Sequence, residues 1–175
     1  MIAWLKHYIA FHGGIIYRMI VYRIYEDLPN RTAKSYGRAQ GRWNDSIYPV
    51  IYTSSVPSLC MMELYSIHGP RIGTKNFVIA MLNIQIDEPN LPYIESNTLP
   101  TNWNAIPSQY TTQSIGNQWL NNLESLFLKV PSARLPMEVY NIEYNVLINP
   151  LHPDFHIKVK PIKEYRFKFN LNQFD

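Results

Sequence analysis

An arginine, a tyrosine and a glutamate punctuate one stretch of this chain. Arg42 lies in Gly41-Arg42-Trp43-Asn44, Tyr52 in Val50-Ile51-Tyr52-Thr53-Ser54, and Glu63 in the run from Ser58 to His68. Ten and eleven positions separate them across an expected loop, strand and helix, a spacing that can bring an anion clamp, a ring and an acid into one cleft. A guanidinium presents a planar donor fork suited to phosphate or carboxylate, and Trp43 and Asn44 add stacking and hydrogen-bonding surface beside it. Glu63 is the sharpest anomaly. Leu59, Glu63 and Ile67 share one helical face, and Met61, Met62 and Tyr65 occupy the others, so the pattern predicts a buried helix. A charge there is costly unless it is paired or hydrogen-bonded. Two readings of Glu63 stand side by side: a structural ion pair or partly exposed edge, and an acid facing a cleft where positive charge develops. Arg42 reads equally as a solvated loop residue, and Tyr52 as a core ring. Ser132, in Val130-Pro131-Ser132-Ala133, also reads as a turn-stabilising hydroxyl.

The elements that must position these groups follow from apolar periodicity and breakers. Met19 to Tyr25 is an expected strand, Asp27 to Gly41 a polar loop, and Pro49 to Ser54 a second strand. Ser55 is a candidate N-cap, with Pro57 in the first turn of a helix that Gly69-Pro70 ends. Asn76 to Ile86 reads as a long central strand, and Asp87 to Pro107 as an extended excursion. A helix starts at Thr111 or Thr112 and runs through Trp119 and Asn122. Strands follow at Ser125 to Val130, around Val139 to Ile148, and at His156 to Phe169. This order predicts an α+β fold, with mixed, mainly antiparallel sheets and flanking helices, rather than alternating βαβ units. Residues 1–18 are expected to be an N-terminal extension to a core domain over residues 19–175.

Composition narrows the function classes. At 175 residues the chain is a single domain by length, able to bury about two-thirds of the surface its unfolded form exposes. Apolar residues at 46% and charged residues at 17% speak against disorder. The net charge of +3 is modest for a nucleic-acid binder. The basic run from Lys158 to Lys168 alternates with Ile157, Val159, Ile162, Phe167 and Phe169, which is the pattern of a strand with one solvated face. One cysteine, Cys60, precludes an internal disulfide and reads as a packed thiol in a reducing compartment. No apolar run approaches the ~20 residues of a bilayer span. Lys6, His7, His12 and Gly13-Gly14 interrupt the start, which is not a signal peptide by pattern. No metal site is expected: Pro153 separates His152 from His156, and there is no second cysteine. Ser132 has no neighbouring histidine or glycine elbow for a hydrolase triad, and no glycine-rich phosphate loop occurs.

Several blocks, in order, resemble the RES domain. These are Gly41-Arg42-Trp43-Asn44, Val50-Ile51-Tyr52-Thr53-Ser54, Ser58-Leu59 with Glu63, Val130-Pro131-Ser132-Ala133, and Glu143-Tyr144-Asn145-Val146-Leu147-Ile148-Asn149-Pro150-Leu151-His152-Pro153-Asp154-Phe155. Arg42, Glu63 and Ser132 match the arginine, glutamate and serine that name the family, and the likeness runs from about Ile20 to Phe169. Cys60 stands where alanine is more usual. The resemblance implies a fold similar to ADP-ribosyltransferases and a toxin of a bacterial RES–Xre pair that destroys NAD by hydrolysis or phosphorolysis. NAD is then the substrate, and no cofactor is implied. An Xre-type antitoxin is the implied partner, nucleic acid is met only through that antitoxin, homo-oligomers are expected, and the location is cytoplasmic.

Carried over residue by residue, the resemblance makes Arg42 a clamp for phosphate or an orienter of the nicotinamide-side ribose. Tyr52 stacks on nicotinamide or holds its ribose, with Trp43 and Asn44 as further substrate contacts. Glu63 stabilises the oxocarbenium-like ribose and orients the acceptor. Ser132 bonds the ribose or fixes the rotamer of Glu63, and Asn149 supports the site. Water and phosphate fit equally as acceptor. Two alternatives stand beside this one: transfer of ADP-ribose to a protein or nucleic acid, and a non-catalytic binding module built on the basic, aromatic C-terminal strands.

Overall fold

Apolar alternation along two long runs builds the centre of the molecule. The computed structural model describes residues 7–11 and 14–170. Strand β1 (His7–Phe11) lies antiparallel to β2 (Gly14–Glu26). There follow β3 (Ile51–Ser54), helix α1 (Pro57–His68), β4 (Asn76–Ile86), helix α2 (Tyr110–Asn122), β5 (Phe127–Val130), β6 (Asn145–Ile148), the single turn α3 (Phe155–Lys158) and β7 (Val159–Lys168). The strands form one antiparallel sheet in the order β5-β6-β3-β2-β4-β7, with β1 on β2, so the α+β expectation holds. β2 and β4 are paired from Tyr17↔Ile86 to Glu26↔Phe77, whereas β2 and β3 are in register at the single pair Tyr22↔Ser54. The sheet is therefore two half-sheets hinged at one point.

Period-two alternation sends neighbouring residues of each strand to opposite faces. Val146, Ile148, Phe127 and Ile51 join Val21, Val78, Leu82, Phe155 and Val159 in one core. Leu147, Leu128 and Val130 turn the other way, joining Trp43, Trp103 and Ile94, with Ile115 and Trp119 of α2 packed against them. The close approach of α2 requires a glycine. A Cβ on Gly116 would lie 1.7 Å from the carbonyl oxygen of Trp43.

Several boundaries differ from the sequence expectation. β2 begins at Gly14, not Met19, so residues 14–18 belong to the sheet. The pairing with β4 is non-local, whereas β1 and β2 are neighbours in the chain that meet at Phe11↔Gly14. α1 is capped by Val56 rather than Ser55. The Ser55 hydroxyl instead accepts the Tyr144 N–H at 3.0 Å, stitching the end of β3 to the start of β6. The strand expected at Val139–Ile148 is reduced to Asn145–Ile148, because Met137–Val139 forms a 3-10 turn. The expected final strand begins with the α3 turn. α1 is not buried all round either. It buries Leu59 and Cys60 against the sheet, while Ile67 is 74% exposed and Met62 and Tyr65 are also exposed. The basic run is partly neutralised, since Lys158 at the end of α3 pairs with Asp87 and Asp154, and Arg166 of β7 with Asp27.

Two outcomes follow from this packing. Gly116→Ala has no room for its methyl group and is expected to lower unfolding free energy by about 3 kcal/mol or more, read by urea denaturation. Burial pushes the Cys60 thiol up to about 11, and its Sγ donates to the Tyr22 carbonyl at 2.9 Å. Below that pH the neutral thiol predominates. Iodoacetamide should therefore alkylate native Cys60 at pH 8 on the order of a hundredfold more slowly than the urea-unfolded chain.

Candidate active site

The loop carrying Arg42 is fastened before it presents anything. Gln113 of α2 donates to the Gly41 carbonyl at 3.0 Å, and Asn117 both accepts the Asp45 N–H and donates to the Asp45 carboxylate. Asn44 turns its amide nitrogen to the carbonyls of Ala39, Asp45 and Tyr48, while its Oδ1 accepts the Tyr52 hydroxyl at 2.8 Å. The same phenolic oxygen accepts the Trp43 N–H at 3.1 Å. Gly41 leaves room for this junction: a Cβ there would lie 2.4 Å from the Tyr52 hydroxyl. Arg42 completes the fastening, with Nη1 and Nη2 donating to the carbonyls of Trp103 and Ala105. A guanidinium has five N–H groups, so three remain for a ligand.

Glu63 projects from α1 toward the exit of β5 and the start of β6. Its Oε1 accepts two short hydrogen bonds, from the Ser132 hydroxyl and from Asn145 Nδ2, both at 2.7 Å. Each donor is itself held. Ser132 Oγ accepts the Arg134 N–H at 3.0 Å, and Asn145 Oδ1 accepts the Ser54 hydroxyl at 2.6 Å. Oε2 faces Arg134 Nε at 3.8 Å, too long for a hydrogen bond, and that buried nitrogen has no other partner. Glu63 remains 29% exposed. The carboxylate is thus fixed through one oxygen by neutral donors, while the other faces Arg134.

Charge ties the remaining groups together. Burial lowers the Arg42 guanidinium from its ordinary value and nearby Arg134 lowers it further, while Glu63 and Tyr52 act in the opposite sense. Burial raises Tyr52 above the ordinary phenol range, and the Glu63 charge adds to the rise. Arg42, Tyr52 and Glu63 are therefore close enough to perturb one another, and Ser132 touches Glu63 directly.

Three expected contact residues have other roles. Trp43 is 2% exposed and stacks on Trp103 in the core, with ring centroids 6.2 Å apart, so its indole does not line the cleft. Asn44 is 1% exposed and its amide is used within the loop. Asn149, wholly buried, donates to the Leu120 carbonyl and accepts the Leu151 N–H. It anchors the end of α2, not Glu63. Conversely, Ser54, Arg134 and Asn145 were not singled out. Their one sequence signal is position: Ser54 ends the tyrosine strand, Arg134 follows the serine by two residues, and Asn145 lies four residues before Asn149.

Comparison with known proteins identifies the family. The family model described as "RES domain" matches residues 17–170. A protein named Toxin Res from Yersinia enterocolitica is 33% identical over 138 residues, covering 79% of this chain and 84% of its own length. Toxin Res from Photorhabdus laumondii is 33% identical over 154 residues, covering 87% and 92%. A Sphingobium protein named Prs ADP-ribosylating toxin is 30% identical over 152 residues, covering 83% and 88%. Among solved structures, a chain of the M. tuberculosis MbcT-MbcA toxin-antitoxin complex superposes with a TM-score of 0.64 at 13% identity, covering 86% of this chain and 85% of that one, a likeness of fold. With the RES-domain model matching residues 17–170 and relatives 33% identical over most of both chains, this chain belongs to the RES-domain family.

Proposed function

We propose that this protein is the toxin of a toxin–antitoxin pair and that it consumes NAD by cleaving the nicotinamide–ribose bond. The carrying observation is Glu63, whose Oε1 is pinned by Ser132 and Asn145 while Oε2 faces the Arg134 guanidinium at 3.8 Å, with the acid's charge also felt at Arg42. As the C–N bond breaks, its electron pair moves onto the cationic ring nitrogen and neutral nicotinamide leaves. The ribose carbon becomes oxocarbenium-like, and a fixed carboxylate stabilises it without reorganising. Arg42 and Arg134 suit the anionic pyrophosphate. Attack by water, with loss of its proton, gives ADP-ribose; attack by inorganic phosphate gives the ADP-ribose 1-phosphate. The names of the Yersinia and Photorhabdus relatives support the toxin reading, and the solved complex supports an antitoxin partner, here an Xre-type protein that occludes the cleft. Action on the cell's own NAD puts the protein in the cytoplasm, and self-association of the toxin or its complex is part of the same reading. Among the described residues no helix is long and apolar enough to cross a membrane.

A second reading keeps the cleft and changes the acceptor to a protein, favoured by the Sphingobium relative named as an ADP-ribosylating toxin. Purified protein incubated with adenine-labelled NAD separates the two. Free labelled ADP-ribose, or its 1-phosphate when phosphate is supplied, is the expected product; label held on macromolecules with little free product would instead establish transfer. Glu63→Gln should reduce nicotinamide release about a thousandfold with little change in thermal midpoint, and near-normal turnover would refute its role. Asn145→Ala should lower kcat roughly tenfold or more while changing KM little, because it loosens a charge without removing it. Arg42→Ala is expected both to raise KM and to loosen the Trp103–Ala105 segment, seen as faster proteolysis there.

A further inference from the structure

A cavity of about 530 Å³ opens between β2, the excursion after β4 and the turn that leads into β6. Its volume is that of a small-molecule site. It lies apart from the candidate active site, since none of Arg42, Tyr52, Glu63 and Ser132 lines it. Strand alternation separates the two further. Lys129 shares its face of β5 with Phe127, and Tyr144 packs against the same core. Asn145 turns to the opposite face, where it bonds Glu63. An occupant of the cavity therefore does not meet the carboxylate. Its one link to that site is backbone: Ser55 and Tyr144, which line the cavity, hold each other at 2.8 and 3.0 Å and are chain neighbours of Ser54 and Asn145.

The lining combines an apolar floor, rings and bare positive charge. Met19, Ile86 and Leu91 supply the floor, which is continuous with the main core. Tyr93 stands exposed at the mouth, and Tyr144 is half-buried further in. Arg18 and Lys129 bring charge, with no aspartate or glutamate among the described lining residues and no acid in the sequence before Glu26. Lys129 is firmly placed. Its N–H donates to the Pro92 carbonyl at 2.8 Å, and its carbonyl accepts the Ile94 N–H and the Tyr140 hydroxyl. The ammonium is 4.3 Å from the ring centroid of Tyr144 and 4.7 Å from that of Tyr140. Among the described residues it has no carboxylate partner, and burial lowers its basicity with nothing acting in the opposite sense. Ring faces give such a cation a favourable contact without cancelling its charge, and a half-buried charge is stabilised by an arriving counter-ion.

We propose that this cavity is a second binding site, separate from that of the substrate, for a small aromatic carboxylate. The ring lies over the apolar floor beside Tyr144 and Tyr93, and the carboxylate meets the Lys129 ammonium. A neutral aromatic compound would leave the ammonium bare, and an aliphatic anion would leave the floor and rings uncovered. A ring carrying one carboxylate answers both. The inference rests on the cavity alone and not on the activity proposed above.

The probe is 2-naphthoate, titrated calorimetrically into the full chain, with 2-naphthamide as the same bicyclic ring without the charge. The expected result is saturable 1:1 binding of naphthoate, roughly tenfold or more tighter than that of naphthamide. Lys129→Met should remove this difference, weakening naphthoate and leaving naphthamide little changed, because methionine keeps an apolar stem on the rings and drops the charge. Asn141→Trp is a second variant. Asn141 is an exposed lining residue, and an indole there fills the cavity from its rim without disturbing the core. It should abolish binding of both compounds with the thermal midpoint unchanged. Excess NAD, added to the Glu63→Gln protein, should leave naphthoate affinity as it was. Absence of saturable binding, equal affinity for the two compounds, indifference to either variant, or displacement by NAD would each overturn the inference, whether or not the protein cleaves NAD.

Discussion

One carboxylate fastens four segments of this fold. Glu63 reaches from α1 to Ser132 after β5 and to Asn145 at the start of β6, and Asn145 passes the connection to Ser54 at the end of β3. All of these bonds are short, and all the donors to Glu63 are neutral. That choice matters physically. A close cation would hold the acid as firmly but would cancel much of its field, whereas an amide and a hydroxyl orient it and leave the charge in place. Arg134 lies 3.8 Å from the other oxygen, an ion pair that adds charge attraction without a hydrogen bond. An acid that must meet transient positive charge is best held in this way.

The second constraint is the rigidity of the Arg42 loop. A loop arginine is ordinarily mobile, and its entropy would be lost on binding. Here the backbone on either side of Arg42 is bound by α2, by Asn44 and by the Tyr52 hydroxyl, and the guanidinium spans two carbonyls of another segment. The ordering is accomplished on folding and not on meeting a ligand, so the remaining N–H groups are presented at low further entropic cost. Trp43 and Asn44 belong to this support, and Asn149 anchors the end of α2. Their burial explains why residues adjacent to a site in sequence need not touch what the site binds.

The sequence carried much of this, and the limits have physical causes. Strand and helix types followed from periodicity, and Arg42, Tyr52, Glu63 and Ser132 were legible as types suited to one cleft. Element ends were less so. β2 extends back to Gly14 because β1 pairs with it there and β4 from Tyr17 onward, and the β4 partner, far along the chain, has no local signature. The apolar residues around Glu63 suggested a buried helix, yet α1 packs on one side and leaves Met62, Tyr65 and Ile67 in solvent. Periodicity reports only how apolar a face is, and α1 is apolar on nearly every face. Asn145 was the least visible of all. Its importance comes from lying beside Ser54 across the β3–β6 ladder, a neighbour 91 positions away.

The hinge between the half-sheets is the last step in this logic. A fully zipped β2–β3 pair would satisfy more backbone groups and close the sheet, which is the ordinary preference of strands. Instead the two are in register at Tyr22↔Ser54 alone, while β2 stays fully paired to β4 on its other side. The bonds forgone there leave an opening at the point where Ser54 and Asn145 meet, and Cys60 of α1 braces the pivot by donating to the Tyr22 carbonyl. The single registered pair thus joins the two half-sheets at the residue whose hydroxyl supports Asn145 and, through it, Glu63.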